Sequence, residues 1–323
     1  MCRIVLLMLM ALAAAPQPQG KVVVVATIPP LAAIAREVGG SRVEVYTLVP
    51  FGSDPHQYAP TPRDIELVRG CDILLTIGTE PFLASIGPGG RVRVGWSDWL
   101  SAGVYIKDGN PHYLWLYPEN AAAIAEVIAQ ALYRVDPEGV SYYERNLEEF
   151  KARVSELMEW ARNQVKLCGA SGARVLLAAS HFEPLVEALG LKPVATVIHG
   201  GGEHMPSPRE VSEAASRAVE LKAEVILVLA TARGGDEDRV AKAISEQTGI
   251  PIVYLWGVPA SESDTYTEFM KYTITAVLAG IQASRTASLQ PKQSFTLEHA
   301  VIMAMLALNL ALAAVLVRGR MGS

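Results

Sequence analysis

The chain is poor in the residues on which several common chemistries depend. It has 3 cysteines in 323 residues. Cys2 lies in a leading apolar segment, and Cys71 and Cys168 fall in what read as different domains, so no disulfide framework is expected. No C-x-x-C, G-x-S-x-G or H-E-x-x-H occurs, which removes the common redox, hydrolase and zincin arrangements. The turn after the first strand pattern reads Thr27-Ile28-Pro29-Pro30, too stiff and proline-rich for a phosphate-cradling loop. There is no basic excess either. With 28 Lys and Arg against 33 Asp and Glu, the net charge is −5. That balance offers no field to attract phosphate backbones and excludes nucleic acid as a partner.

What is present describes a folded chain with added apolar segments: 50% of residues are hydrophobic and 19% charged. Arg3 precedes the apolar run 4–15, which ends in Ala13-Ala14-Ala15 before Pro16. This has the anatomy of a secretory signal peptide, taken as residues 1–20. No lipobox-like run ends at a cysteine, so lipid anchoring is not expected. Near the other end, residues 300–317 are apolar except for Asn309, and Arg318 and Arg320 follow. At about 1.5 Å per residue this run spans roughly 27 Å, close to a bilayer core. The arginines after it predict a cytoplasmic C-terminus and an outward-facing body. Residues 283–299, rich in Ser, Thr, Gln and Lys at their start, read as a tether.

Between these ends, short β-branched runs at 21–27, 42–49, 72–77, 174–179, 193–197, 224–230 and 251–255 alternate with helical patterns such as 208–221 and 236–247. That alternation predicts an α/β fold of two parallel-sheet lobes with helices on both faces. One element breaks the rhythm. Tyr143, Leu147, Phe150, Val154, Leu157 and Ala161 recur at helical spacing after Asp136-Pro137-Glu138, a helix start with Asp136 as the expected cap. A helix over 137–167 is about 45 Å long, about a domain diameter. It reads as a strut (136–167) joining an N-terminal lobe (21–135) to a C-terminal lobe (168–282), with a ligand cleft between them.

Five of the 6 histidines fall before the tether, in predicted loops. His56 and His181 follow strand patterns, at the carboxyl ends where open α/β sheets hold ligands. The run Gly52-Ser53-Asp54-Pro55-His56-Gln57-Tyr58-Ala59-Pro60-Thr61-Pro62-Arg63-Asp64 resembles the D-P-H-x-Y/F-x-P-T-P-x-D signature of the solute-binding proteins of zinc and manganese ABC importers. Ala59 stands where that family commonly has an acid. Asn110-Pro111-His112-Tyr113-Leu114-Trp115-Leu116-Tyr117-Pro118-Glu119-Asn120-Ala121 is similar to the family's P-H-x-W-L-x-P-x-N-A run, with one residue inserted between His112 and Trp115. Ala179-Ser180-His181-Phe182-Glu183-Pro184-Leu185 is similar to its histidine-after-strand segment.

The resemblance covers 21–282 and implies a metal site of His56, His112 and His181 in the interlobe cleft of a receptor that is not an enzyme. Imidazoles suit Zn²⁺, and three of them leave a fourth tetrahedral position for a carboxylate or water. A histidine at 181, where manganese members carry Glu, favours zinc; manganese and iron are the alternatives within the family. Relatives often supply an Asp after the last strand, but here Tyr254 to Pro259 contains no acid. The fourth position is left to water, Glu262 or Asp264, the last also a candidate cap for the final helix. The loop His199-Gly200-Gly201-Gly202-Glu203-His204 reads either as a flexible connection or as a capturing flap in which Glu203 and His204 offer donors.

The partners this implies are a membrane permease and its cytoplasmic ATPase. The receptor itself is expected to be a monomer, held at the outer face of a single-membrane, archaeal-type cell surface. Two other readings use the same residues. An exported zinc hydrolase would also place three histidines around an open position, but no carboxylate is spaced as its general base. A surface adhesin would need no metal geometry.

Overall fold

The computed structural model describes residues 20–53, 55–199 and 205–289. The expected anchor at 300–317, nearly all of the expected signal peptide, and Glu203 and His204 of the glycine loop lie outside the described residues. Among those described, no helix is long and apolar enough to cross a membrane.

In the first lobe, β1 (Val22–Ala26), α1 (Pro29–Gly39), β2 (Val43–Thr47), α2 (Pro62–Gly70), β3 (Ile73–Leu75), α3 (Leu83–Ile86), β4 (Val92–Val94), α4 (Trp96–Ser101), α5 (Tyr113–Leu116) and α6 (Ala121–Val135) follow one another. The second lobe holds β5 (Arg174–Ala179), α8 (Glu183–Ala188), β6 (Lys192–Ile198), α9 (Pro208–Glu220), β7 (Val225–Leu229), α10 (Asp236–Thr248), β8 (Ile252–Leu255) and α11 (Tyr266–Leu289). Between them runs α7 (Val140–Leu167), 28 residues and therefore about 42 Å long.

Each lobe has a four-stranded sheet, in the orders β2-β1-β3-β4 and β6-β5-β7-β8. Every pairing is parallel. The strand order is the same in both lobes, so each has a switch point, β1/β3 and β5/β7, where loops leave in opposite directions and a crevice opens. The central strands are covered on both faces and so read as continuous apolar runs. In β5 and β7, Val175, Leu177, Val225 and Leu227 face a core shared with the first lobe. Leu176, Ala178, Ile226 and Val228 face a second cluster against α9 and α10.

The strut turns Tyr143, Leu147, Phe150, Val154, Leu157 and Ala161 into the shared core, as the spacing predicts. Its start differs from the expected cap. Pro137–Gly139 form a 3-10 turn without a side-chain cap. The Asp136 carboxylate instead takes Arg42 Nε and Nη2, each at 2.8 Å, and the Tyr143 hydroxyl at 2.6 Å. α11 sends Phe269, Met270, Ile274, Val277 and Ile281 into the same core and runs on to Leu289, into residues the sequence assigns to the tether. The edge strand β4 is absent from the sequence reading. β3 is as short but lies in the apolar run 72–77, whereas β4 offers only Val92 and Val94 among arginines and glycines.

Candidate metal centre

Each expected histidine reaches the cleft from a different local device. His56 sits in the 3-10 turn Pro55–Gln57. The proline-rich run after it is a helix start: Thr61 caps α2, Pro62 occupies its first turn, and Asp64 closes the reciprocal capping box. The Tyr58 hydroxyl also donates to Asp64 at 2.8 Å, tying the turn to the helix. His112 immediately precedes α5. His181 stands two residues beyond β5, at the second lobe's switch point.

The structure brings these three together. His56 and His112 ring centroids are 5.9 Å apart, His56 and His181 5.9 Å, and His112 and His181 4.7 Å. One donor atom from each lies within 4.8 Å of the others. Donors on one tetrahedral ion stand about 3.3 Å apart, so little movement is needed for all three to share an ion. His56 is exposed, His181 half-buried and His112 buried. Burial, with His181 and His56 beside it, pushes the His112 imidazole well below its usual 6.5. It is therefore neutral, with a lone pair available to a metal.

The backbone and side chains around the rings fix their orientation. Asn110 Oδ1 lies 2.8 Å from His112 Nδ1 and accepts the His112 backbone N–H at 3.0 Å. The Asn110 amide donates across the cleft to the Ser180 carbonyl at 3.0 Å and to Glu183 Oε2 at 3.2 Å. Glu237, at the start of α10, places Oε2 3.3 Å from His181 Nδ1. Farther out, Glu187 on α8 accepts from Tyr105, Lys107 and Tyr113 of the first lobe. The Trp115 indole N–H donates to the Gly257 carbonyl at 2.7 Å, and its ring packs 5.2 Å from His112. A cavity of about 250 Å³ opens beside the histidines, walled by Ile77, Pro81, Trp115, Leu229 and Val258.

Residues 24–280 match the family described as zinc-uptake complex component A, periplasmic. The chain belongs to this family. It is a substrate-binding protein of metal transport and not an enzyme. It is 24% identical over 283 residues to the manganese ABC transporter substrate-binding lipoprotein PsaA of Streptococcus pneumoniae, covering 81% of this chain and 89% of the relative. The periplasmic zinc binding protein TroA from Treponema pallidum superposes with a TM-score of 0.70 at 17% identity, over 81% of this chain and 99% of that one. A cadmium-bound periplasmic metal binding protein from Candidatus Liberibacter asiaticus gives 0.68 at 20% identity, over 81% and 100%. These structural likenesses establish the two-lobed fold.

The acids suggested for a fourth position lie elsewhere. Glu262 is exposed and pairs with Arg36 at 3.6 Å. Asp264 accepts from the Ala260 and Ser261 backbone N–H groups and the Ser261 hydroxyl, closing the loop before α11. The residue expected to cap that helix is also displaced by one. Thr265 and Glu268 form the reciprocal pair at its start. Cys71 and Cys168 form no disulfide with one another. Asn110, Glu187 and Glu237 are not among the site residues expected from the sequence. Asn110 stands inside a quoted motif, but its amide's reach across the cleft exists only once the lobes meet. Glu237 reads as one of three acids in a helix first turn, a placement the helix dipole alone explains.

Proposed function

We propose that the chain is the extracytoplasmic receptor of an ABC importer, which captures Zn²⁺ between His56, His112 and His181 and delivers it to a membrane permease driven by an ATPase. The observation that carries this reading is the convergence of three imidazoles, with no carboxylate in the cluster among the described residues. Manganese would be expected to draw more oxygen donors. The name of the streptococcal relative favours the second reading, a manganese receptor.

Competition of the purified protein against chelators of known strength, with zinc, manganese and iron in turn, separates the two. The zinc reading expects one tightly held zinc and weaker manganese. Manganese held as tightly or more tightly would overturn it.

The same reading places the receptor outside the cell, exported by residues 1–20 and held by residues 300–317. Tethering would keep its effective concentration high at the permease. Removing residues 295–323 should release it to the medium with zinc affinity unchanged. A truncated chain that stayed with the cells, or lost zinc, would defeat the anchor.

A further inference from the structure

The buried His112 and the half-buried His181 are held by different chemistry. His112 faces a neutral amide, Asn110, whereas His181 faces an anion. β5 and β7 are neighbours at the second lobe's switch point. His181 leaves from the end of β5, and Glu237 comes from the first turn of α10, after β7. The Glu237 side chain is only 7% exposed. Its Oε1 is committed to the Leu229 backbone N–H at 2.8 Å, which aims Oε2 at His181 Nδ1, 3.3 Å away. The Nδ1 atom is buried and meets no partner in hydrogen-bond geometry, Oε2 included, so a small turn of the ring or of the carboxylate brings the anion beside it onto the Nδ1 proton.

We infer that Glu237 is a positioning residue for the metal site, one that holds the Nδ1–H tautomer of His181 so that Nε2 presents its lone pair to the ion. The inference rests on the metal-site reading above. A carboxylate is an acceptor only, so the proton of a neutral His181 goes to Nδ1 and Nε2 is left bare. Carboxylates behind metal-bound histidines act in this way, fixing both tautomer and ring orientation. The arrangement also sets one negative charge close to the ion without putting oxygen in its ligand shell. Three nitrogen donors backed by an outer carboxylate favour zinc over a cation that wants oxygen directly.

This role orders two variants in a way that a packing role does not. In Glu237→Gln the side-chain carbonyl can keep the Leu229 N–H satisfied, which turns the NH₂ group toward His181 Nδ1. A donor there demands a lone pair on Nδ1 and moves the proton to Nε2, where it points at the ion. Glu237→Ala leaves His181 free to choose its tautomer. The full-length protein is titrated with zinc alone against a chelator, and ion-free samples are examined by ¹⁵N NMR of the histidine rings.

The expected result is binding weakened about ten- to a hundredfold in Glu237→Ala and more severely in Glu237→Gln. The His181 proton should sit on Nδ1 in the wild type and on Nε2 in the glutamine variant. If Glu237→Gln binds zinc as well as the wild type or better than Glu237→Ala, or if His181 carries its proton on Nε2 in the wild type, the positioning role is overturned. A wild type that binds no zinc would instead overturn the metal-site reading itself. The ring spectra test the tautomer whatever the affinities, since they are recorded without metal.

Discussion

Asn110 joins His112 to the segment carrying His181 through one side chain. Its carbonyl oxygen meets His112 Nδ1 at 2.8 Å, while its amide nitrogen donates to the carbonyl of Ser180, the residue before His181. It therefore sets the ring orientation on one lobe and the distance to the other.

Asn110→Ala should weaken zinc binding by about ten- to a hundredfold, the usual cost of losing the group behind a metal-bound histidine. Asn110→Asp tests the cross-cleft half separately. It keeps an acceptor for His112 but sets carboxylate oxygens against the Ser180 carbonyl and Glu183. It should speed zinc release, measured by stopped-flow transfer to a chelator. Equal release rates in Asn110→Asp and the wild type would show that the cross-cleft bonds do not hold the site.

The Arg42–Asp136 pair carries a prediction about stability. Asp136 is buried and takes both the guanidinium and the Tyr143 hydroxyl. Arg42 beside it holds the Asp136 carboxyl below the usual 3.8. Asp136→Ala leaves the buried hydroxyl without its acceptor and should cost about 2–4 kcal/mol by denaturant melting. Zinc affinity measured on the folded fraction should not change, because the pair lies at the root of the strut. A zinc defect without a stability defect would contradict this assignment.

Acid should destabilise the ion-free protein in two ranges. His112 is held well below 6.5. As pH falls from 6.5 toward that lower value, only the unfolded state gains the proton, and stability drops. The loss levels off once the folded protein also protonates. Burial pushes the Glu187 carboxyl up, but hydrogen bonds from Tyr113, Lys107 and Tyr105 outweigh it and hold the group below its usual 4.5. Its contribution, present above 4.5, is lost as pH falls through the lower folded value. Melting temperatures of the ion-free protein should fall below pH 6.5 and again below about pH 4.5. His112→Phe should remove the first decline. If that variant and the wild type behave alike between pH 7 and 5, the buried neutral imidazole is not the cause.

Much of this was legible in the sequence, and the remainder failed for identifiable reasons. Apolar runs in β1, β5 and β7 show because both faces of those strands are buried, and the strut shows because Tyr143 to Ala161 keep a strict helical period. His56, His112 and His181 stand in local motifs whose turn chemistry holds without knowledge of distant partners. β4 offers only Val92 and Val94 among arginines and glycines, too little apolar sequence to mark a strand. Asp136 looks like a cap because its neighbours suit one, yet Arg42, 94 residues away, offers its carboxylate two charge-assisted bonds. Glu237 is the instructive omission. Its sequence neighbourhood explains it fully as a helix-start acid, and only the strand order reveals that it faces His181.

X-ray absorption at the zinc edge tests the central claim most directly. The zinc-loaded protein should show three imidazole nitrogens at about 2.0 to 2.1 Å, with a fourth oxygen or nitrogen donor that lacks the outer-ring scattering of an imidazole completing the shell. His112→Ala should lose one imidazole from that spectrum or fail to hold the ion. A wild-type shell dominated by carboxylate oxygens, or one left unchanged by His112→Ala, would contradict the account.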